Sequence, residues 1–200
     1  MARLEKILNR RRLLLFGIAS GLSLEGVTAA PQPAAPAHAP FGPVVPPQTA
    51  LSVPLIGDDG QAFYLPHRLR SKVTAVQLMF AGCSAICPIQ GALFAGVAQR
   101  IESVRGAQLL SLTIDPLNDD PAALRRWKER FGAHRLWSAA APKLQDVDAL
   151  FDFLGGRNRG VDGHTGQVYL FDRQARLRYR TPEFPTISYV ADIMNQLAQL

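Results

Sequence analysis

Cysteine is scarce in this sequence: the 200 residues include only Cys83 and Cys87, both within the segment FAGCSAICPIQ at residues 80 to 90. Thiol chemistry is therefore confined to one pair of side chains. The chain also lacks the paired carboxylates and the Ser/His/Asp arrangement of a hydrolase, a nucleic-acid-binding motif and internal repeats. These absences leave the cysteine segment as the main candidate for chemistry.

Acidic residues are also in short supply, 16 against 22 basic ones, which gives a formal net charge of +6. Residues 1 to 29 hold five of the basic and two of the acidic residues, so half of the excess charge belongs to the amino terminus. The basic balance of the whole chain therefore does not indicate nucleic-acid binding. A length of 200 residues with 48% hydrophobic content suits one ordinary domain.

A long apolar run is missing from the amino terminus. The run at residues 13 to 24 has 12 residues, whereas a membrane-spanning helix needs roughly 20. Because this run follows a cluster of arginines and precedes Ala29 and Ala30, it predicts an export signal over residues 1 to 30, of the secretory or twin-arginine type. An uncleaved leader would act as a membrane anchor. We expect a bacterial periplasmic protein, in a compartment where thiols tend to oxidise.

Residues 31 to 50 are rich in proline and alanine and nearly free of charge. The stretch PQPAAPAHAPFGPVVPPQ contains seven prolines, which favours an extended, semi-rigid spacer with little capacity to pack. The folded domain is predicted to occupy residues 51 to 200.

Strand and helix patterns alternate through that domain. LSVPLIGDDGQAFYL predicts an initial β-hairpin, and the apolar runs KVTAVQLMF and AQLLSLTI are typical of buried strands. Each run precedes an amphipathic helix, the first beginning at the cysteines and the second capped by Asp120. KLQDVDALFDFL predicts a further helix, GQVYLFDRQARLRYR a hairpin, and the apolar spacing from Ile187 to Leu197 a closing helix. This order predicts an α/β fold, a thioredoxin-like sandwich with a central mixed sheet flanked by helices and an extra N-terminal hairpin.

Pro88 follows Cys87 directly and shapes the cysteine segment. Proline fixes its own φ and disfavours helical geometry in the preceding residue, so we predict Cys87 as the cap and Pro88 as the first helical residue. Cys83 then lies on the loop above the helix. Exposed backbone N–H groups and the positive end of the helix dipole favour the thiolate form there.

Three roles for the cysteine pair remain open on this reasoning. A disulfide staple is the common use of two cysteines in an exported protein, although closing so short a loop contributes little stability. A redox pair usually has the spacing C-x-x-C, one residue shorter than the spacing here. A metal site would suit copper(I) or zinc, but two thiolates need at least one further ligand.

Histidine offers the candidate third ligand. His164 lies in the loop that leads into the strand QVYLF, and in a thioredoxin-like sheet that loop faces the end bearing the cysteines. A purely structural histidine is the alternative. His67 and His134 lie near element ends, where exposed or structurally bonded imidazoles are expected, and Met79 in its apolar strand is expected to pack in the core.

Three segments together resemble one known family. FAGCSAICPIQ, LLSLTIDPLNDDPAALRRW and VDGHTGQVYLFDRQARL are similar, in this order, to the C-x-x-x-C-P motif, the Asp-Pro strand and helix, and the metal-binding histidine of the SCO/SenC family. That family comprises copper-binding assembly factors for cytochrome c oxidase, and the resemblance covers residues 51 to 200. It implies a thioredoxin-like domain, usually on a membrane tether, that binds one copper, Cu(I) or Cu(II), through Cys83, Cys87 and His164.

The resemblance also implies a function and partners. A metallochaperone of this kind delivers copper to the CuA site of oxidase subunit II or to another copper protein, or reduces the cysteines of that site. A periplasmic copper chaperone and a thioredoxin-like reductant are further implied partners. The alternative hypothesis is a thiol-disulfide oxidoreductase, or a thiol peroxidase-like enzyme, that uses the Cys83/Cys87 pair.

The sequence departs from the family's pattern at two places. Ser84 and Ala85 follow the first cysteine where the family commonly has proline and aspartate, which alters the start of the helix and leaves the ligands in place. Gly163 separates Asp162 from His164, so Asp162 is not expected to support the histidine.

Arginines alternate along the last predicted strand, at Arg176, Arg178 and Arg180. We expect this arginine stripe to be a solvated face of the strand. The alternative is that it guides docking onto an acidic partner.

Overall fold

The computed structural model describes residues 39 to 158 and 163 to 200, so the predicted export signal lies outside the described residues. Strands are found at β1 (Gly42–Thr49), β2 (Pro54–Gly57), β3 (Ala62–Tyr64), β4 (Val73–Met79), β5 (Ala107–Thr113), β6 (Trp137–Pro142), β7 (Tyr169–Phe171) and β8 (Arg176–Arg180). Helices are found at α1 (Leu65–Leu69), α2 (Cys87–Arg100), α3 (Pro121–Glu129), α4 (Val147–Leu154) and α5 (Ile187–Ala198), with a short 3-10 helix (Leu144–Asp146) before α4. Over these two ranges, no helix has the length and apolarity to span a membrane.

The strands form one mixed sheet in the order β1-β8-β7-β4-β5-β6-β2-β3. β4, β5 and β6 are parallel, and the other neighbouring pairs are antiparallel. Every residue of β4 and β5 is buried, because helices cover both faces of the sheet at its centre. The predicted α/β fold with a mixed central sheet and an N-terminal hairpin, β2–β3, is confirmed.

One apolar core lies on each face of the sheet. On the first face, α2, α3 and α5 pack over the sheet, and the rings of Phe94, Trp127 and Trp137 meet edge to face. Each such aromatic pair contributes about 0.5–1.5 kcal/mol beyond the burial of its area. On the second face, α1 and α4 bury Leu69 and Leu154. The two cores fix the strands and helices relative to one another. The loops that join these elements therefore start and end at fixed positions.

The predicted boundary between spacer and domain is wrong at its carboxyl end. Residues Gly42–Thr49 form β1, which pairs antiparallel with β8 through a register shift between Pro43 and Gln48. Prolines are tolerated there because an edge strand needs a partner for only part of its N–H groups. Val44 is buried in the second core. The folded domain therefore starts before residue 51, since a proline-rich composition excludes a central strand and not an edge strand.

Two further elements were not predicted, α1 and β6. The segment WSAAAP of β6 is short and rich in alanine, so it lacks the β-branched pattern of a strand, yet it pairs with both β5 and β2. By contrast, the predicted cap of α3 is confirmed, because Asp120 Oδ1 accepts a hydrogen bond from Ala123 N at 2.6 Å.

The parallel strands define two ends of the sheet. We call the end at which β4, β5 and β6 finish the carboxyl edge, and the opposite end the amino edge. The cysteine segment follows β4 and so lies at the carboxyl edge. Because β7 runs antiparallel to β4, the loop that precedes β7, with His164, returns to the same edge. The topology thus brings the two segments together.

Candidate metal centre

The cysteine segment turns sharply between β4 and α2. Cys83 N donates to Phe80 O at 3.1 Å, and α2 begins at Cys87 itself, with Ile86 as its cap. The helix therefore starts one residue earlier than predicted, with Pro88 as its second residue. Cys87 N donates to Cys83 Sγ at 3.4 Å, so a sulfur atom accepts the first N–H of the helix. Cys87 is helical although the following proline disfavours that conformation.

Both cysteines are shielded from solvent, with exposed fractions of 6% for Cys83 and 0% for Cys87. The first turn of α2 directs backbone N–H groups and the positive end of the helix dipole toward them. The thiolate is the form of cysteine that binds metals and attacks disulfides. The predicted placement of the pair at a helix start is thus found in the structure.

His164 is the histidine that the fold brings to the cysteines. Its Nε2 lies 3.7 Å from Cys87 Sγ, and its side chain is buried with 1% exposure. Its Nδ1 lies 3.0 Å from the carbonyl oxygen of Thr165. Because a carbonyl oxygen only accepts, Nδ1 carries the proton and donates, which leaves the lone pair of Nε2 directed at Cys87 Sγ.

A chain of buried hydrogen bonds holds the loop that contains His164 and precedes β7, which we call the histidine loop. Thr165 Oγ1 and Tyr169 Oη are 2.8 Å apart, and Thr165 N donates to Gly156 O at 2.9 Å. Burial raises the pKa of Tyr169, so its hydroxyl stays protonated. A Cβ on Gly156 would lie 2.8 Å from Tyr169 Oη and closer still to Leu78 Cδ1. A side chain at this position would have to displace Leu78 and Tyr169. Tyr169 in turn positions His164 through Thr165.

The cysteine loop is fastened from the side of β5 by residues that sequence reasoning missed. Asp119 Oδ2 accepts a hydrogen bond from Ala81 N at 2.9 Å and another from Thr113 Oγ1. Arg130 Nη2 donates to Ala81 O at 3.0 Å. Asp119 is 2% exposed, and burial raises the pKa of its carboxyl group. In the sequence Asp119 looks like the neighbour of the cap Asp120, and nothing local reveals its contact with the cysteine loop.

His67, His134 and Met79 lie where the sequence predicts them. His134 Nε2 contacts Glu102 Oε1 at 2.9 Å, and the exposed His67 stacks edge-on against Tyr64. Met79 is completely buried in the first core. His38 and Asp162 lie outside the described residues.

The arginine stripe is not the solvated face that was expected. Arg180 is buried and donates to Leu154 O at 2.7 Å, while Arg176 and Arg178 both contact Asp172. Burial lowers the pKa of Arg180. The expectation failed at Arg180 because its guanidinium packs against the end of α4, where Leu154 O and Phe153 O accept its hydrogen bonds. Arg176 and Arg178 stay partly solvated, with side-chain exposures of 40% and 31%.

The side chain of Cys83 does not yet point toward the other two candidate ligands. In the part of the chain that is described, no three thiol, imidazole or carboxylate groups already converge on one point. Cys83 Sγ is directed at Cys87 N, whereas Cys87 Sγ and His164 Nε2 face each other. A set of two sulfur atoms and one nitrogen, the donors preferred by copper(I), would require Cys83 Sγ to turn away from Cys87 N and toward that pair.

The sequence of this chain matches the model of one protein family. A family model described as SCO1/SenC matches residues 54–199. No curated protein matches the chain.

Solved structures share the fold at low sequence identity. A SCO1/SenC family lipoprotein from Bacillus anthracis is 21% identical, with a TM-score of 0.65 over 76% of this chain and 98% of that chain. Yeast Sco1 with copper bound is 19% identical, with a TM-score of 0.65 over 76% and 90%. BsSco, a member of the Sco family of cytochrome c oxidase assembly proteins in which a disulfide switch was identified, is 15% identical, with a TM-score of 0.64 over 83% and 97%. The thioredoxin-like fold is common to all of them.

Proposed function

Because the chain belongs to the SCO1/SenC family, we propose that it is a copper metallochaperone that binds one copper through Cys83, Cys87 and His164. The observation that carries the proposal is the distance of 3.7 Å between Cys87 Sγ and His164 Nε2. These atoms come from segments far apart in sequence, and the imidazole presents its lone pair to the sulfur.

The donor set favours copper over zinc. Copper(I) accepts low coordination by two thiolates and one imidazole, whereas structural zinc sites are almost always completed by four protein ligands. Two thiolates and one copper(I) ion leave a single negative charge, which the first turn of α2 stabilises. Burial of all three side chains keeps water away from the bound copper.

Three ligands leave one side of the ion open to a partner. Cys83 lies on the loop before α2 and is the more exposed of the two cysteines. A thiol of the recipient can therefore approach from the side of Cys83 and take copper over by ligand exchange. In this mechanism Cys83 leaves the ion first, while Cys87 and His164, which are more deeply buried, hold it until transfer.

The recipient that we propose is the CuA site of cytochrome c oxidase subunit II, or another copper protein outside the cytoplasm. Support comes from yeast Sco1, which has copper bound, and from BsSco, whose family assembles cytochrome c oxidase. We further propose that the chain works in the bacterial periplasm after export by its leader, which is removed or kept as an anchor.

A second candidate function is thiol-disulfide exchange with a partner. The contact of 3.4 Å between Cys87 N and Cys83 Sγ places the two cysteines close enough to favour it, and BsSco contains a disulfide switch. In this reaction the two thiols form a disulfide, and two electrons and two protons pass to a disulfide of the partner, which becomes two thiols.

Copper titration of the reduced full chain tests the first function. Metal analysis should find one copper per chain, retained against a chelator of modest affinity, and Cys83→Ser or Cys87→Ser should nearly abolish binding. If the reduced chain takes up no copper, the proposed copper-binding function is wrong. Turnover of a disulfide substrate that needs both cysteines but is unchanged in His164→Ala would instead favour the second function.

A further inference from the structure

A cavity of about 340 Å³ lies at the amino edge, the end of the sheet opposite to the cysteines. The segments that precede β4, β5 and β6 enclose it. Its charged and amide side chains come from Arg68, Lys72, Glu102, Arg105, Gln108 and Arg135. We call it the basic cavity. Its position means that a ligand bound there would leave the cysteine loop accessible.

The basic cavity has more positive charge than its own carboxylates neutralise. Of its described lining residues, Glu102 alone is acidic, and it contacts His134 at 2.9 Å and Arg135 at 4.0 Å. Across the described ranges, no salt bridge reaches Arg68, Lys72 or Arg105. Three cationic residues therefore line one cavity without an acidic partner, and the Arg68 guanidinium lies 5.4 Å from the centre of the Phe63 ring.

A buried amide holds one of these cations and the backbone of a second. Gln108, which is 5% exposed, accepts a hydrogen bond from Lys72 Nζ at 3.1 Å. Its Nε2 donates to Arg68 O at 2.8 Å and to Thr74 Oγ1 at 2.9 Å. Because Gln108 lies within β5, the wall of the cavity is tied to the sheet. The Lys72 ammonium is therefore held in place by the fold, which lowers the entropy cost of binding a ligand there.

The polar atoms of the cavity are only partly satisfied. Arg68 Nε is buried and makes no hydrogen bond. Burial lowers the pKa of Lys72, and the charge of Arg68 lowers it further. Cations that are crowded and shielded from water in this way gain stability from a bound anion.

We propose that the basic cavity binds a phosphate group. Three cations without acidic partners suit an anion whose charge is spread over several oxygen atoms, and a phosphate group offers more oxygen acceptors than the two of a carboxylate. The guanidinium groups supply paired donors for its oxygens, and Lys72 supplies a point charge. Free phosphate and the phosphodiester headgroup of an anionic phospholipid both present such oxygens, the headgroup with a single negative charge.

Two binding measurements on the full chain test the proposal and separate these sources. Calorimetric titration with inorganic phosphate measures the free anion, and co-sedimentation with phosphatidylglycerol vesicles, compared with phosphatidylcholine vesicles, measures the headgroup. The double variant Arg68→Gln/Lys72→Gln should weaken whichever binding is observed by about tenfold or more, because it removes two charge-assisted contacts. Phosphate binding alone assigns a soluble ligand, and vesicle binding alone assigns a lipid headgroup.

The matched control is Arg125→Gln/Lys143→Gln, which removes one arginine and one lysine from exposed positions outside the cavity. An equal loss of binding in this control would mean attraction by net charge only, and would overturn the proposal, as would no binding in either assay. If the double variant does not fold, judged by its melting temperature, the exposed Arg105→Gln replaces it. Copper uptake should be unchanged in all of these variants, so a failure here is separable from a failure of the proposed function.

Discussion

Cys87 Sγ and His164 Nε2 lie 3.7 Å apart although 77 residues separate them in the sequence. β7 runs antiparallel beside β4, which returns the histidine loop to the edge where the cysteine segment begins. The histidine is oriented by its bond to Thr165 O, and Thr165 is held in turn by Tyr169. This arrangement leads to separate predictions for the ligand, its support and the surrounding loops.

Replacement of the imidazole should weaken copper binding. His164→Ala removes the nitrogen donor that faces Cys87 Sγ, so we expect the copper affinity to fall by at least about tenfold, or about 1.4 kcal/mol. Copper(II), which prefers nitrogen donors more strongly than copper(I), should show the larger loss. Chelator competition measures both. His134→Ala is the matched control, because His134 contacts Glu102 away from the site; equal losses in the two variants would remove His164 from the ligand set.

Removal of the hydroxyl that supports Thr165 should weaken copper binding without removing a ligand. Tyr169→Phe deletes the bond of 2.8 Å to Thr165 Oγ1, and loss of such an indirect support typically costs about 10-fold to 100-fold in metal affinity. The free energy of unfolding should fall by about 1 kcal/mol. Tyr189→Phe deletes a bond of the same length and type to Tyr179. If that control loses as much copper affinity, the effect is one of general stability and Tyr169 does not position the histidine.

A methyl group at Gly156 should displace the histidine loop. Gly156→Ala places a Cβ 2.8 Å from Tyr169 Oη, and overpacking of this kind costs about 1–3 kcal/mol. We expect a lower melting temperature together with weaker copper binding. Gly82→Ala adds the same group beside Cys83 with nothing within 4 Å, so it should be tolerated. A Gly156→Ala variant as stable as the parent would show that the loop relaxes easily.

The buried carboxyl group of Asp119 makes stability depend on pH. Burial raises its pKa in the folded state above the unfolded value, so its contribution to stability is fully present below the unfolded pKa and declines as pH rises through the folded pKa. Asp119→Asn can still accept both hydrogen bonds and does not titrate. Denaturant unfolding of the two proteins across the acidic range should show the parent losing stability relative to the variant as pH rises. The opposite slope would contradict this prediction.

A buried ion pair connects α3 to the turn after β2. Lys128 Nζ contacts Asp58 Oδ2 and donates to Trp137 O at 3.0 Å, while Asp58 Oδ1 accepts from Ala139 N at 3.1 Å. Lys128→Ala leaves a buried carboxylate without its cation, so the free energy of unfolding should fall by about 3 kcal/mol. Arg135→Ala breaks an exposed contact of 4.0 Å to Glu102 and should cost less than about 1 kcal/mol. Comparable losses from denaturant unfolding would mean that burial does not set the strength of the Lys128 pair.

Local patterns predicted the elements that have strong internal signals. The hairpin β2–β3, the strands β4 and β5 and the capped helix α3 all follow from apolar periodicity, turn residues and Asp120. The edge strand β1 and the strand β6 did not, because each is stabilised by neighbours instead of by its own composition. Proline-rich and alanine-rich segments form strands here since the sheet supplies their hydrogen-bond partners.

The sequence by itself determined the chemical inventory of this protein, two thiols at the start of a helix and a histidine in a loop, because Pro88 and the periodicity of α2 act within a few residues. Only the tertiary structure decided which groups meet. It oriented His164 through Thr165, fastened the cysteine loop to Asp119, buried Arg180 and gathered the cations of the basic cavity. Such contacts depend on the order and direction of strands, which are set by the packing of the whole sheet and leave no local signal in the chain.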